Sequence, residues 1–159
     1  MTNLREKHAT PLEGSTDART TAGCPPRPTR EARRYLVAED DASLRRLLVA
    51  KLRHDGAEVV EASGGAELLD WAERAAQSPD RDVLDAIVSD IQMPDLTALD
   101  VLRKVPAVSR RVPVILITAF NERMVRDEAY DLGAAAVLQK PLHLDDVHAI
   151  VRAVSRLAA

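Results

Sequence analysis

Residues 35–56 read YLVAEDDASLRRLLVAKLRHDG. The first four are apolar without a break and run into three acids, Glu39, Asp40 and Asp41. A short apolar run bounded by charge is the pattern of a strand buried on both faces. Leu44, Leu47, Leu48 and Leu52 follow at helical spacing, with Arg45, Arg46, Lys51 and Arg53 mostly on the other side. Gly56 is the stop signal that ends such a helix. The stretch is therefore one strand, an acidic corner and one amphipathic helix.

That unit recurs. Residues 57–62 (AEVVEA) predict a second strand, and 64–77 a helix carrying Leu68, Leu69 and Ala72. Residues 83–89 (VLDAIVS) predict a third strand that ends at Asp90. The loop at 93–95 opens a helix with Leu99, Leu102 and Val105, closed by Pro106. Residues 112–118 (VPVILIT) form the most apolar strand, and 123–132 a helix closed by Gly133. A short strand over 135–139 precedes Lys140 and Pro141; Val147, Ile150, Val151, Val154 and Leu157 then make one helical stripe. Five βα units in succession imply an α/β fold, a parallel sheet with helices on both faces. Right-handed crossovers leave few ways to wind it.

Composition sets outer limits. At 159 residues, 46% apolar and 30% charged, the chain fits one ordinary globular domain with a tail. Residues 1–32 lack hydrophobic periodicity and hold Pro25, Pro26 and Pro28, so a disordered basic tail is expected there, with the domain over 33–159. Residues 1–34 hold seven Lys/Arg against four Asp/Glu, whereas the rest of this chain of net charge −3 is acidic. An acidic body argues against a nucleic-acid-binding domain. No apolar run approaches a membrane span and the start of the chain lacks a signal-peptide core, so the cytoplasm is the expected compartment. Cys24 has no partner for an internal disulfide, which fits a reducing environment.

Ligands of open α/β sheets sit beyond the carboxyl ends of the strands. Those ends carry Glu39, Asp40 and Asp41, then Asp90, then Thr118, then Lys140. Clustered carboxylates raise one another's pKa unless a cation lies between them, and all-oxygen ligation favours Mg²⁺. Asp90 is then the candidate nucleophile, with Thr118 and Lys140 to hold phosphoryl oxygens. Asp41 is read as a helix cap and left out of the metal set.

Residues 36–45 (LVAEDDASLR), 89–94 (SDIQMP), 117–119 (ITA) and 139–141 (QKP) resemble, in order and separation, the signature segments of two-component response-regulator receiver domains. The resemblance covers residues 33–157. It implies a flavodoxin-like, doubly wound sheet in the order 2-1-3-4-5, for which a chemotaxis receiver is a standard example. It implies Asp90 as acceptor of a phosphoryl group from a histidine kinase or phosphotransfer protein. Mg²⁺ would be held by Glu39, Asp40, Asp90 and the backbone carbonyl of Gln92. Thr118 becomes the switch hydroxyl, Lys140 the phosphoryl-binding ammonium, and the bond before Pro141 cis.

Two positions depart from the family pattern. Ala98 replaces a usual glycine, which bears on the turn into the third helix. Val137 replaces a usual aromatic, so the familiar rotation of a ring on activation has no counterpart here. The last helix runs to the end of the sequence, so a stand-alone receiver is expected, with no DNA-binding domain, no membrane contact and no enzyme activity beyond its own phosphorylation and dephosphorylation. It would bind a downstream protein through the helix over 123–132, the last strand and the last helix, as a monomer or weak dimer. The alternative is a pseudo-receiver, a binding module independent of phosphorylation. An aspartyl phosphatase wants a second acid two residues after the nucleophile, where this chain has Gln92. Trp71 and Met124 read as core or partly buried, and His143 and His148 as exposed. Gly64-Gly65 has the spacing of neither a P-loop nor a dinucleotide fingerprint.

Overall fold

The computed structural model describes residues 32–79 and 83–158; the expected tail lies outside them but for Ala32. The strands are β1 (Arg34–Ala38), β2 (Glu58–Ala62), β3 (Ala86–Asp90), β4 (Val114–Thr118) and β5 (Ala136–Gln139). The helices are α1 (Ala42–Arg53), α2 (Gly65–Gln77), α3 (Ala98–Lys104), α4 (Val108–Arg111), α5 (Arg123–Asp131) and α6 (Leu144–Leu157). All four strand pairings are parallel and the order is β2-β1-β3-β4-β5, as the resemblance implies.

Strand composition explains the layering. Every residue of β3 and β4 is buried, because helices cover both faces of the sheet. Successive side chains point to opposite faces, so Leu36, Ile87 and Leu116 join α2, α3, α4 and α5 in one core. Val37, Val88, Ile115 and Ile117 join α1 and α6 in the other. Each fully buried Leu or Ile contributes about 1.5–3 kcal/mol over leaving it in water.

Helix ends follow local chemistry. The Asp41 carboxylate accepts the amides of Ser43 (2.7 Å) and Leu44 (3.1 Å), which makes it the N-cap of α1. Thr97 and Asp100 form a reciprocal capping box at α3. Ala98 is the first helical residue there and its methyl is buried, so the alanine enters an ordinary helix start. Gly56 and Gly133 turn the chain at φ 79° and 96°, conformations that an L side chain rarely adopts.

Several expectations need correction. Leu47 is 55% exposed, and Val49 is buried in its place. Leu44, Leu48 and Leu52 already fill the inward face at spacing four, which turns Leu47 outward. Met124, expected core or partly buried, is 82% exposed on α5. The His148 side chain is only 18% exposed, because Nε2 pairs with Asp55 at 2.8 Å. Helix α4 was not anticipated; its four residues are too few to show a period. Strand β3 starts at Ala86, since Asp85 is held before the strand by accepting the Arg34 amide (2.7 Å) on its carboxylate.

Candidate functional site

The register brings the chemistry-bearing strand ends level. Ala38 lies opposite Ser89, Asp90 opposite Ile117, and Thr118 opposite Gln139. Beyond these, the Glu39 amide donates to the Ala62 carbonyl (3.1 Å) and the Lys140 amide to the Thr118 carbonyl (2.8 Å). The ladder thus holds the backbone of Glu39 and Lys140 one step past the strands. The Lys140–Pro141 peptide is cis.

Glu39, Asp40 and Asp90 each offer an oxygen within 4.8 Å of the others. Glu39 is 1% and Asp90 5% exposed, while Asp40 is exposed, so the cluster has a buried floor and an open mouth. Lys140 Nζ lies 2.6 Å from Asp90 Oδ2 and 3.4 Å from Glu39 Oε2. The ammonium therefore bridges two carboxylates that would otherwise repel.

The electrostatics follow from burial. Desolvation pushes the Glu39 carboxyl up to about 7; the Asp90 charge adds to this, while the Asp41 amide and Lys140 pull it down. Burial pulls the Lys140 ammonium down, but its hydrogen bond to Asp90 and the charges of Asp90 and Glu39 outweigh that and hold it above the ordinary lysine value. A buried carboxylate raised to neutral pH marks a donor set short of positive charge. Its donors are oxygens only, with no nitrogen or sulfur, which suits a small hard dication such as Mg²⁺.

Supporting contacts fix the rim. The Gln92 amide donates to Asp90 Oδ1 at 3.0 Å, which ties the start of the β3–α3 loop to that carboxylate and sets the Gln92 peptide beside it. The Asp41 amide donates to Glu39 Oε1 (3.1 Å), and the Arg45 guanidinium to the Glu39 carbonyl (2.7 Å). Thr118 is fully buried at the end of β4; its Oγ1 accepts the Phe120 amide at 3.0 Å. No hydrogen bond joins Thr118 to Asp90. The sequence-derived set thus divides into Glu39, Asp90, Lys140 and the Gln92 amide, joined by hydrogen bonds, Asp40, which offers an oxygen within 4.8 Å of the other two acids, and Thr118, which flanks.

One part of the site had no signal in the sequence. The Asp95 carboxylate accepts the amides of Gly65 (2.9 Å) and Ala66 (2.8 Å) at the start of α2, and those two bonds hold its pKa below the usual carboxylate value. The Gly64-Gly65 pair makes room for this. A Cβ on Gly65 would lie 2.0 Å from the Leu96 carbonyl oxygen, and one on Gly64 3.0 Å from the Asp95 carboxylate. The loop that carries Gln92 is thereby latched to the neighbouring helix. Its partners lie 30 residues apart, so neither spacing nor composition announces them.

Comparison with known proteins agrees with the geometry. The family described as response regulator receiver domain matches residues 35–152. The chain is 38% identical over 126 residues to the transcriptional regulatory protein PdtaR of Mycobacterium tuberculosis, covering 78% of this chain and 58% of that protein. It is 34% identical over 123 residues to the response regulator MprA of Mycobacterium avium, covering 77% of this chain and 51% of that protein. The chain thus spans little more than half the length of these relatives. Its fold matches a CheY-like response regulator receiver domain protein from Methanospirillum hungatei with a TM-score of 0.69 at 20% identity, over 80% of this chain and 96% of that one. With the family profile running from β1 into α6 over residues 35–152 and the acidic rim in place, the chain belongs to the response regulator receiver domain family.

Proposed function

We propose that this chain receives a signal by accepting a phosphoryl group on Asp90 from the phosphohistidine of a histidine kinase or phosphotransfer protein. The observation that carries the proposal is the bridged carboxylate pair, with Lys140 Nζ 2.6 Å from Asp90 at the carboxyl rim of the sheet. An Asp90 oxygen attacks phosphorus; the O–P bond forms as the P–N bond breaks, and the histidine leaves with that electron pair. Such transfer is governed by positioning and charge neutralisation, with little acid–base work.

Each residue has a task consistent with its place. Glu39, Asp40, Asp90 and the Gln92 carbonyl would hold Mg²⁺, whose chemistry there is neutralisation of charge on phosphoryl oxygens. The Gln92 amide orients Asp90, leaving Oδ2 for the new bond. Lys140 exchanges its contact with Asp90 Oδ2 for one with a phosphoryl oxygen. Thr118 Oγ1 accepts the Phe120 amide, so its own proton remains to be donated to the phosphoryl group.

Phosphorylation shifts binding only by interacting differently with two states. Val137 is 6% exposed in the core beneath α5 and has no ring to swing. The route to the surface is therefore the Thr118–Phe120 bond: a move of Thr118 toward the phosphoryl group displaces the loop that leads into α5. Phe120 is 40% and Met124 82% exposed there, so the loop, α5, β5 and α6 form the face that a downstream protein reads. Among the described residues no helix is long and apolar enough to cross a membrane. A phospho-switch or phosphorelay member is the reading that these features favour.

The test is intact-mass spectrometry after incubation with acetyl phosphate. Addition of one phosphoryl group that requires Mg²⁺ and is abolished in Asp90→Asn supports the reading. Folded wild-type protein that stays unmodified with Mg²⁺ present overturns it in favour of a phosphorylation-independent binding module.

A further inference from the structure

A second polar recess lies at the other end of the sheet. It encloses about 210 Å³ between the start of β1, the α1–β2 turn and the last turns of α6. Tyr35 to Glu39 is four strand residues, so the recess is roughly 13 Å from the acidic rim. Three guanidinium groups line it, those of Arg33, Arg152 and Arg156, together with the His148 imidazole. Asp55 is the one acid in the lining, and it is already occupied. Its Oδ2 takes His148 Nε2 (2.8 Å) and Arg152 (3.0 Å), and its Oδ1 lies 3.3 Å from His54 Nδ1. Arg33 spends one nitrogen on the Ser155 carbonyl (2.8 Å) and lies 3.5 Å from Asp85.

Two groups are left over. Among the described residues the Arg156 guanidinium makes no hydrogen bond or ion pair, and the side chain is exposed at the mouth. Tyr35 is 3% exposed and lines the recess, yet its hydroxyl has no hydrogen-bond partner among the described residues. The ring is buried but the hydroxyl still reaches solvent, so it opens on the recess and is free to donate to a group bound there. The recess therefore combines excess positive charge, unspent guanidinium donors and an unpartnered phenol.

We propose that this recess binds a small phosphate-type oxyanion, with Arg33, Arg152 and Arg156 as charge-assisted donors and the Tyr35 hydroxyl donating from the floor. Guanidinium forks match tetrahedral oxyanions, and a dianion offsets the charge excess better than a monoanion. Drug-sized ligands need about 300–1,000 Å³, so the volume restricts the occupant to inorganic phosphate or a short phosphomonoester. The site is independent of the chemistry at Asp90.

The test is an NMR titration of the ¹⁵N-labelled full chain in EDTA with sodium phosphate, and in parallel with glycerol phosphate, against sodium chloride at matched ionic strength. Saturating shifts of the Gly56, Ala57, Ser155 and Arg156 amides, absent with chloride, are the expected result; the tighter of the two probes identifies the source. Arg156→Ala weakens the binding about tenfold, as loss of one charge-assisted bond should. Tyr35→Phe keeps the ring and weakens it severalfold, and Lys140→Ala leaves it unchanged. Shifts that fail to saturate, that chloride reproduces, that confine themselves to the Lys140 end, or that survive Arg156→Ala overturn the proposal.

Discussion

Lys140 stands between two carboxylates that are almost wholly removed from water, and its removal leaves them facing each other unscreened. Unmaking a charged partner of buried groups costs about 1–3 kcal/mol. Lys140→Met is thus expected to lower the unfolding free energy by that amount in EDTA. Because Mg²⁺ can replace the lost charge, saturating Mg²⁺ should recover most of it, and urea denaturation with and without the ion measures both terms. Asp95 gives a second prediction at this scale. Asn can accept only one of the two α2 amides and carries no charge for the helix N-terminus, so Asp95→Asn should destabilise the fold at neutral pH. The folded state depresses the pKa of Asp95, so its contribution is present above the unfolded value of 3.8 and is lost as pH falls through the folded one. The gap between wild type and variant should therefore close on acidification below about pH 4; a gap that widens there contradicts the latch.

At the scale of elements, the two glycines before α2 should respond in a fixed order. An alanine at 65 collides with the Leu96 backbone, which cannot step aside without moving the β3–α3 loop. At 64 the neighbour is the end of an Asp95 side chain, which can give way. Gly65→Ala should therefore slow phosphorylation by acetyl phosphate more than Gly64→Ala, read as initial rates by mass spectrometry. Leu116 is fully enclosed in β4, and Leu116→Ala should cost about 2–5 kcal/mol in chemical denaturation. The strands were legible in the sequence because two-sided burial makes them continuous apolar runs, and the strand-end acids were legible because they interrupt those runs. Leu47, Met124 and the four-residue α4 were not. Which apolar residues of a helix face inward is decided by packing, and one turn of helix has no period to detect. The latch of Asp95 onto Gly65 and the pairing of Asp55 with His148 escaped for another reason: contacts between distant segments exist only once the sheet is wound.

At the scale of the whole molecule, the sheet carries opposite charges at its two ends, an acidic rim at the carboxyl edge and an arginine-lined recess at the other. The rim is where the fold is short of charge. A ligand that binds only the folded state stabilises it by about 2.7 kcal/mol at one hundred times its dissociation constant. Mg²⁺ at that level should raise the melting temperature of wild type, and Asp40→Asn, which removes an exposed candidate ligand, should shrink the rise without unfolding the apo protein.

The central claim concerns one atom group, and it can be located chemically. An aspartyl phosphate is an acyl phosphate, which borohydride reduces to homoserine. After phosphorylation with acetyl phosphate and Mg²⁺, borohydride treatment and peptide mapping should place homoserine at position 90. Homoserine at another acid, or none at all in protein that has gained a phosphoryl group, would contradict the assignment of Asp90.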